Sequence, residues 1–379
     1  MSAAYAGRMA VPTPEEFEAA GLYDPDDDTI RGRLELLRWL WSEGFTIAEM
    51  QNAQANADLN AMAGDRWILP AERHPRAEAI ERTGLEADVF DAFTTALGIV
   101  RIQGAPEGEV GYTDGEIELL SLIGPLGDIF SRDESLAFFR VIASSMARIA
   151  EAAVSMFLTD VESTYMREGR TELELATAAR SALTLTDGMG ERLDPLLRRH
   201  MLQAIERTRE ATISEVERHE YRYGVGFVDL VGFTSLSGNL SAEELAAFVA
   251  RFEARAHDAV AVAGARVVKL IGDEVMFVAA DPSALCRAGR ALIEAFSDDA
   301  EHVSPRGGMA YGNVVPRGGD YYGTIVNLAS RLAGEAVPGE LLVSDDLAHS
   351  SADCEFEPAG RRMVKGFDDP IAVHSMRAG

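Results

Sequence analysis

Cysteine and lysine are nearly missing from this 379-residue chain, and each shortage excludes something. Only Cys286 and Cys354 are present, so at most one disulfide can form, and neither cysteine stands in a metal-ligand spacing. We therefore expect free thiols in a reducing, cytoplasmic compartment. The first residues show no apolar core of a secretory signal, and no apolar run approaches the length of a membrane span. We expect no transmembrane segment.

Basic charge is also scarce. The chain has 62 acidic and 35 basic side chains, a net charge of −27, and most of the acidic excess lies in residues 1–220. Such a surface repels a phosphate backbone, so nucleic acid is not expected as a partner; solubility alone would also explain the charge. The only lysines are Lys269 and Lys365. Lys269 stands beside a Gly-Asp pair, where a compact ammonium in place of a guanidinium suggests a chemical role; with only two lysines, chance placement is the alternative.

The length suits two domains, and the spacing of apolar residues changes along the chain. Residues 1–189 keep a helical repeat and predict an all-α domain. Residues 190–220 predict one connecting helix, which carries His200 and His219. Residues 221–379 alternate strands with helices and predict a second, α/β-patterned domain.

The all-α domain shows its clearest periodicity in four stretches, residues 31–41, 76–100, 114–130 and 133–165. The last stretch predicts a long, largely buried helix. Its apolar residues are Phe138, Phe139, Val141, Ile142, Met146, Ile149, Val154 and Phe157.

The second domain reads β-α-β-β-α-β-α-β. Strands are expected at 223–230, 266–271, 274–280, 307–314, 340–343 and within 353–376. Helices are expected up to residue 262 from a capping box of Ser241 and Glu244, at 282–296 and around 326–332. Gly272-Asp273, between two apolar runs, predicts a tight hairpin turn.

Two short segments about forty residues apart carry the chemistry. One puts Asp229 near the end of an apolar strand, and the other puts Asp273 at a hairpin turn. Two carboxylates brought together in this way can hold two divalent cations against a polyphosphate. Gly232, Phe233 and Thr234 then lead into a helix, where backbone N–H groups can receive an anion. Either aspartate alone would be an ordinary turn or strand-end residue, so the prediction rests on finding both together.

These segments resemble the motifs of the class III nucleotide cyclases. Residues 227–234 are similar to the opening motif of that family, residues 269–274 to the second and residues 320–331 to the third, in the family's order and spacing. The resemblance covers about residues 221–379 and implies a ferredoxin-like cyclase domain, hence an α+β chain with its all-α domain first. Residues 1–220 resemble, in pattern and order, the helical regulatory domain of some mycobacterial-type cyclases, which restrains the catalytic domain and responds to pH.

The resemblance also implies a role for each matching residue. Asp229 and Asp273 would bind two divalent cations, Mg²⁺ or Mn²⁺, and Lys269 and Asp320 would read the base. A lysine donates to adenine N1 and a carboxylate accepts from the adenine amine, whereas guanine presents the opposite groups at both places. The implied substrate is therefore ATP, and the implied products are 3′,5′-cyclic AMP and pyrophosphate.

The remaining roles concern the ribose and the phosphates. Asn327 would orient the ribose, and Arg331, four residues later on the same helix face, would stabilise charge at the reacting phosphorus. Lys365 matches a C-terminal strand on which family members often place a phosphate-contacting base; an ordinary exposed strand lysine is the alternative. In this family the metal carboxylates come from one subunit and the Asn and Arg from the other, which implies a homodimer with two equivalent sites.

Alternatives remain open. A guanylate cyclase is one, and a catalytically silent cyclase-like binding module is another, although such modules usually lose a motif residue that is present here. A diguanylate cyclase would want Gly-Gly before the acidic pair and Phe after it, where this chain has Ile271 and Val275. For regulation, protonation of His200 or His219 below about pH 6.5 could bias the connecting helix. Solvated histidines and a plain dimerisation domain are the simpler alternatives.

Overall fold

The structure is a computed structural model that describes residues 10–27, 32–56, 59–68, 73–99, 111–184, 188–211, 221–297 and 303–377. The chain divides into two compact units, Met1–Asp194 and Pro195–Gly379. This division falls inside a helix that spans Met189–Ala211. The rest of the predicted connecting helix, residues 212–220 with His219, lies outside the described residues.

The elements of the first unit are helices. They are α1 (Pro14–Ala19), α2 (Arg33–Ser42), α3 (Ile47–Ala55), α4 (Met62–Ile68), α5 (Arg76–Thr83), α6 (Ala87–Ala96), α7 (Asp114–Ser121), α8 (Ile123–Gly127), α9 (Arg132–Phe157), α10 (Ser163–Glu168), α11 (Glu172–Thr184) and the beginning of α12 (Met189–Ala211).

Two apolar cores hold these helices. The predicted helix near residue 31 is α2, and its Leu36, Leu37 and Leu40 are fully buried in the first core. The second core joins α6 to the start of α9, where the rings of Phe93 and Phe139 meet edge to face with centroids 5.2 Å apart. Burial of such side chains supplies most of the stability of short helices that would not form alone.

Helix α9 is long, as predicted, but the expectation that it is largely buried is wrong. It continues through a π-helical turn, Leu158–Glu162, into α10. Among its apolar side chains only Phe139 is buried, whereas Phe138 is 59% exposed and Val154 is 57% exposed. The neighbours α6 and α8 pack against this helix near its beginning, and periodicity alone could not show where that cover ends.

The expectation that no apolar run approaches the length of a membrane span is wrong for the same helix. From Arg132 to Tyr165 it is 34 residues long, and an 18-residue window within it has a mean hydropathy of 1.5 with none of the window buried. Within the described part of the chain, this is one helix that length and composition would allow to cross a membrane.

The second unit contains the end of α12, eight strands and five further helices among its described residues. The strands are β1 (Tyr221–Val231), β2 (Arg266–Ile271), β3 (Glu274–Ala279), β4 (Ser304–Arg317), β5 (Asp320–Tyr322), β6 (Glu340–Ser344), β7 (Glu357–Arg362) and β8 (Ile371–Arg377). The helices are α13 (Phe233–Ser237), α14 (Ala242–Val262), α15 (Pro282–Ser297), α16 (Thr324–Glu335) and α17 (Asp345–Ser350).

One mixed sheet organises this unit. The strand order is β2-β3-β1-β4-β6-β8-β7, with β5 paired to β4, and β4 and β6 run parallel while the other described pairs are antiparallel. The order β2-β3-β1-β4 with α14 and α15 as connections is the predicted ferredoxin-like arrangement. Alternate β1 residues enter two cores, one beneath α14 and α15 and the other beneath α16.

The predicted elements of this unit are present, and two short ones were missed. Strand β5 has three residues and helix α17 has six, too few for a periodic signal. The predicted capping box of α14 is confirmed, since the Glu244 N–H donates to the Ser241 hydroxyl and the Ser241 N–H donates to the Glu244 carboxylate.

Helix α16 packs directly on β4 at Gly308. A Cβ atom at this position would lie 2.1 Å from the Ala333 nitrogen and 2.3 Å from the Ala329 oxygen, both in the helix backbone. Because neither atom can yield without moving the helix, we expect Gly308→Ala to lower the free energy of unfolding by about 3 kcal/mol. Denaturant unfolding measures this change.

The control for that measurement is Gly334→Ala on the same helix, where a Cβ would meet nothing within 4 Å. We expect it to change the free energy of unfolding by less than about 1 kcal/mol, because it only exchanges helix propensity. Equal destabilisation by the two substitutions would contradict the close approach of α16 to the sheet.

Candidate active site

Three carboxylates meet at one end of the sheet. Asp229 on β1 pairs in register with Glu274 on β3 and, on its other side, with Arg306 on β4. Asp273 stands in the turn between β2 and β3, which Gly272 closes with a left-handed φ of 64°. The structure therefore brings Asp229 and Asp273 together, as the sequence predicted.

Burial and mutual repulsion perturb this group. The pKa of Asp273 is raised, first because the carboxyl is partly buried and then because the Asp229 carboxylate lies beside it. Burial also raises the pKa of Glu274 to about 7, and the charges of Asp229 and Asp273 add to the effect. The Arg306 guanidinium lowers both pKa values and does not offset the other causes. An excess of negative charge of this kind favours a bound cation.

Arg306 is a member of the site that the sequence did not reveal. Its Nε and Nη2 donate to Asp229 Oδ2 over 3.3 and 3.1 Å. Its Nη1 donates to the carbonyl oxygens of Gly334 and Ala336, at the C-terminal end of α16. Arg306 thus ties a site carboxylate to the helix behind it. The only signal was a basic residue at the start of a predicted strand, and its partner depends on a register that the sequence does not give.

The donor set at this end of the sheet fits divalent cations that arrive with a polyphosphate. In the described residues no group of three or more His, Cys, Asp or Glu side chains forms a ready metal cage. Asp229 and Asp273 supply oxygen ligands alone, which suit Mg²⁺ and Mn²⁺. Magnesium is commonly held by one or two carboxylates together with substrate phosphates.

The predicted base-reading pair is also brought together. The Lys269 ammonium on β2 contacts Asp320 Oδ2 on β5 in an ion pair. The other oxygen, Asp320 Oδ1, accepts the backbone N–H of Tyr321 over 2.8 Å. Both charged side chains keep a polar edge in solvent, with 40% of Lys269 and 24% of Asp320 exposed. They are therefore held in place and remain accessible to a ligand.

Asn327 and Arg331 lie on α16, one turn apart, as predicted. Both are exposed, while Leu328, Ala329 and Leu332 on the opposite side of the helix are buried against the sheet. The helix begins after Gly323, whose φ of 136° is open only to glycine. The two polar side chains thus stand on one solvent-facing stripe of a firmly anchored helix.

The residues after Asp229 form a helix start, as predicted. Gly232 has a left-handed φ of 99° and precedes α13. The ring of Phe233 packs on Phe248 with centroids 5.2 Å apart, so this side chain serves the core. Thr234 is exposed at the first turn. A phosphate at this place would meet the backbone and Thr234, not the phenyl ring.

The placement of Lys365 on a strand is wrong. Lys365 is exposed in a turn between β7 and β8, which closes when the Phe367 N–H donates to the Val364 carbonyl over 3.1 Å. The adjacent Gly366 takes a left-handed φ of 93° within this turn, beyond Arg362 where β7 ends. Of the two candidate regulatory histidines, His200 is exposed on α12, and His219 lies outside the described residues.

Comparison with known protein families identifies both parts of the chain. Residues 216–377 match the family model "Adenylate and Guanylate cyclase catalytic domain", and residues 15–207 match "Adenylate cyclase regulatory domain". The second unit is therefore a class III nucleotide cyclase domain.

Relatives of similar length cover both domains. The chain is 33% identical over 365 residues to the uncharacterized protein Rv2212 of Mycobacterium tuberculosis, which is 96% of this chain and 93% of the relative. It is 29% identical over 362 residues to the pH-sensitive adenylate cyclase MT1302 of the same species, covering 92% of this chain and 88% of the relative. Among solved structures it is similar to the adenylyl cyclase CyaB from P. aeruginosa, with 24% identity, 42% of this chain and 94% of that chain covered, and a TM-score of 0.39. This protein belongs to the family of class III cyclases that carry an N-terminal adenylate cyclase regulatory domain.

Proposed function

We propose that this protein is an adenylate cyclase that converts ATP to 3′,5′-cyclic AMP and pyrophosphate. The observation that carries the proposal is the contact between Lys269 and Asp320. An ammonium donor and a carboxylate acceptor side by side match adenine N1 and its exocyclic amine. With guanine, the Lys269 ammonium would face the N1–H donor and the Asp320 carboxylate would face the carbonyl oxygen. Both polar pairs would stay unpaired, and this lowers affinity.

The proposed reaction gives each site residue one role. The 3′-hydroxyl of ATP gives its proton to solvent and its oxygen attacks the α-phosphorus; the bond from the α-phosphorus to the bridging oxygen breaks, and pyrophosphate leaves. When two divalent cations are bound, they supply positive charge that lowers the pKa of the hydroxyl and steadies the triphosphate. Asp229 and Asp273 would hold those cations. Asn327 orients the ribose, and the Arg331 guanidinium offsets the charge that builds up at the phosphorus.

The proposed site is shared between two copies of the chain. Asn327 and Arg331 are exposed on the outer face of α16, available to a nucleotide held by another subunit. A self-complementary dimer would place the carboxylates of each copy opposite the α16 of the other and so form two equivalent sites. This arrangement is a proposal, made from the family resemblance and from the exposure of α16.

Product analysis tests the proposed activity. Full-length protein is incubated with Mn²⁺ and either ATP or GTP, and the cyclic nucleotides are separated by chromatography. We expect cyclic AMP from ATP and much less cyclic GMP from GTP. Cyclic GMP as the main product would identify a guanylate cyclase. No cyclic nucleotide from folded protein over a range of pH would favour a silent binding module.

For regulation, we propose that residues 1–189 restrain the cyclase domain and that acidification relieves this restraint through α12. The support is the match to a regulatory domain and the relative named as pH-sensitive. His200 is exposed on α12. The test compares pH–rate profiles of the full chain and of residues 195–379, the second compact unit. Profiles of the same shape would rule out this route.

A further inference from the structure

The hairpin that carries Asp320 is short, and its main-chain pairing gives it little support. Strand β5 has three residues and pairs only with β4 among the described strands. Its two-residue turn consists of Gly318 and Gly319, both left-handed with φ of 62° and 82°. Such a turn closes a hairpin well. However, two glycines have many backbone conformations, so ordering this turn costs more conformational entropy than ordering other residues. The carboxylate proposed to read the base therefore needs support from elsewhere.

Arg266 supplies a contact on each side of Asp320. Its Nη2 donates to the carbonyl oxygen of Gly319 over 3.1 Å. Its guanidinium also lies over the ring of Tyr321, 5.6 Å from the centroid. Tyr321 is 8% exposed and packs edge to face on Tyr223 with centroids 5.1 Å apart. Arg266 thus clamps the hairpin to the sheet immediately before and immediately after the carboxylate.

An irregularity in β2 makes this clamp possible. Residues three apart on a regular strand point to opposite faces. Here the register shifts between Val267 and Lys269, so that Arg266 lies opposite Val278 and Lys269 lies opposite Met276. Because Val278 and Met276 are two residues apart on β3, Arg266 and Lys269 share one face of the sheet. The bulge turns both cations toward the hairpin, one to its backbone and one to the Asp320 side chain.

We propose that Arg266 is a positioning residue for base selection, which holds the Asp320 carboxylate where it accepts the amine of adenine. The inference rests on the proposed adenylate cyclase activity. Arg266 does not touch the nucleotide in this account. Its loss leaves Lys269 and Asp320 in the chain but lets the hairpin move, so the discrimination between adenine and guanine falls.

Steady-state kinetics of Arg266→Met test this inference with full-length protein and Mn²⁺. We expect KM for ATP to rise about tenfold, the worth of one well-placed hydrogen bond, with kcat changed by less than about threefold. We expect KM for GTP to stay nearly constant, so the ratio of kcat/KM for ATP to that for GTP falls about tenfold. Arg266→Lys keeps the charge and one donor but not the planar stack, and we expect it to recover part of the lost ratio.

The matched control is Arg361→Met. Arg361 also donates to a main-chain carbonyl, that of Pro370, over 3.2 and 2.8 Å. This contact, however, lies between β7 and the start of β8. We expect the ratio of kcat/KM for ATP to that for GTP in Arg361→Met to equal that of the wild type. An Arg266→Met protein that loses kcat equally with both nucleotides, at an unchanged ratio, would overturn the positioning role. If Arg266→Met melts too low to be assayed, Arg266→Lys takes its place, and a wild-type ratio in that variant would also overturn the role. Wild-type protein that prefers GTP or makes no cyclic nucleotide would instead refute the proposed function and the inference with it.

Discussion

Replacing Asp273 by Asn should lower the rate of cyclic AMP formation by on the order of 10³-fold, since several kcal/mol of metal-derived stabilisation are lost. The amide keeps the size of the side chain but removes the charge that attracts a divalent cation. The pKa of Asp273 is raised first by burial and then by the neighbouring Asp229 charge. Removing one charge therefore relieves repulsion in the metal-free protein, so the variant should fold as well as the wild type.

The measurement is initial rate against Mn²⁺ concentration for Asp273→Asn and for a matched control, Asp281→Asn. Asp281 accepts backbone N–H groups of Ser283 and Ala284 at the start of α15, away from the sheet end, and Asn caps a helix about as well as Asp. We expect the control to stay within about twofold of wild type, as its cap is retained. An Asp273→Asn protein with nearly full activity and unchanged Mn²⁺ dependence would remove this carboxylate from the proposed metal site.

The second large effect is expected at Arg331. Arg331→Ala should lower kcat by on the order of 10³-fold, the worth of an arginine that stabilises a phosphoryl transition state. KM for ATP should change little, because the lost interaction belongs to the transition state. The side chain is exposed on α16, so its removal leaves no cavity in the core and stability should be preserved.

Arg287→Ala is the control for that experiment. Arg287 is 54% exposed on α15 and pairs with Asp281 over 3.5 Å, an exposed contact of the kind that contributes little. Single-turnover rates with saturating ATP separate the chemical step from product release. A loss below about tenfold for Arg331→Ala would mean that the guanidinium does not face the reacting phosphorus.

Much of the second unit could be predicted because its sequence is locally consistent. The apolar runs on either side of Gly272-Asp273, the capping box at Ser241 and the glycine before α13 each favour one local structure, and the structure has it. The ferredoxin-like strand order followed once three motifs indicated the family. Asn327 and Arg331 needed only helical spacing to be placed on one face.

Other features depend on contacts that no local pattern contains. Arg306 and Arg266 are placed by strand register and by a bulge, and both remained hidden in the sequence. Helix α9 has the composition of a buried helix, yet its exposure depends on how far its neighbours reach. Strand β7 ends at Arg362, and Lys365 and Gly366 form a turn beyond it, although the flanking residues suit a strand.

The central claim is a cyclase site assembled from two copies of this chain, and mixing two inactive variants tests it most directly. Asp273→Asn and Arg331→Ala proteins are combined in equal amounts, allowed to exchange subunits, and assayed for cyclic AMP from ATP. Half of the dimers then contain one of each variant, and each such dimer has one site with no substitution, so we expect about a quarter of wild-type activity. An activity no higher than that of the separate variants, in a mixture shown to have exchanged, would contradict a shared site.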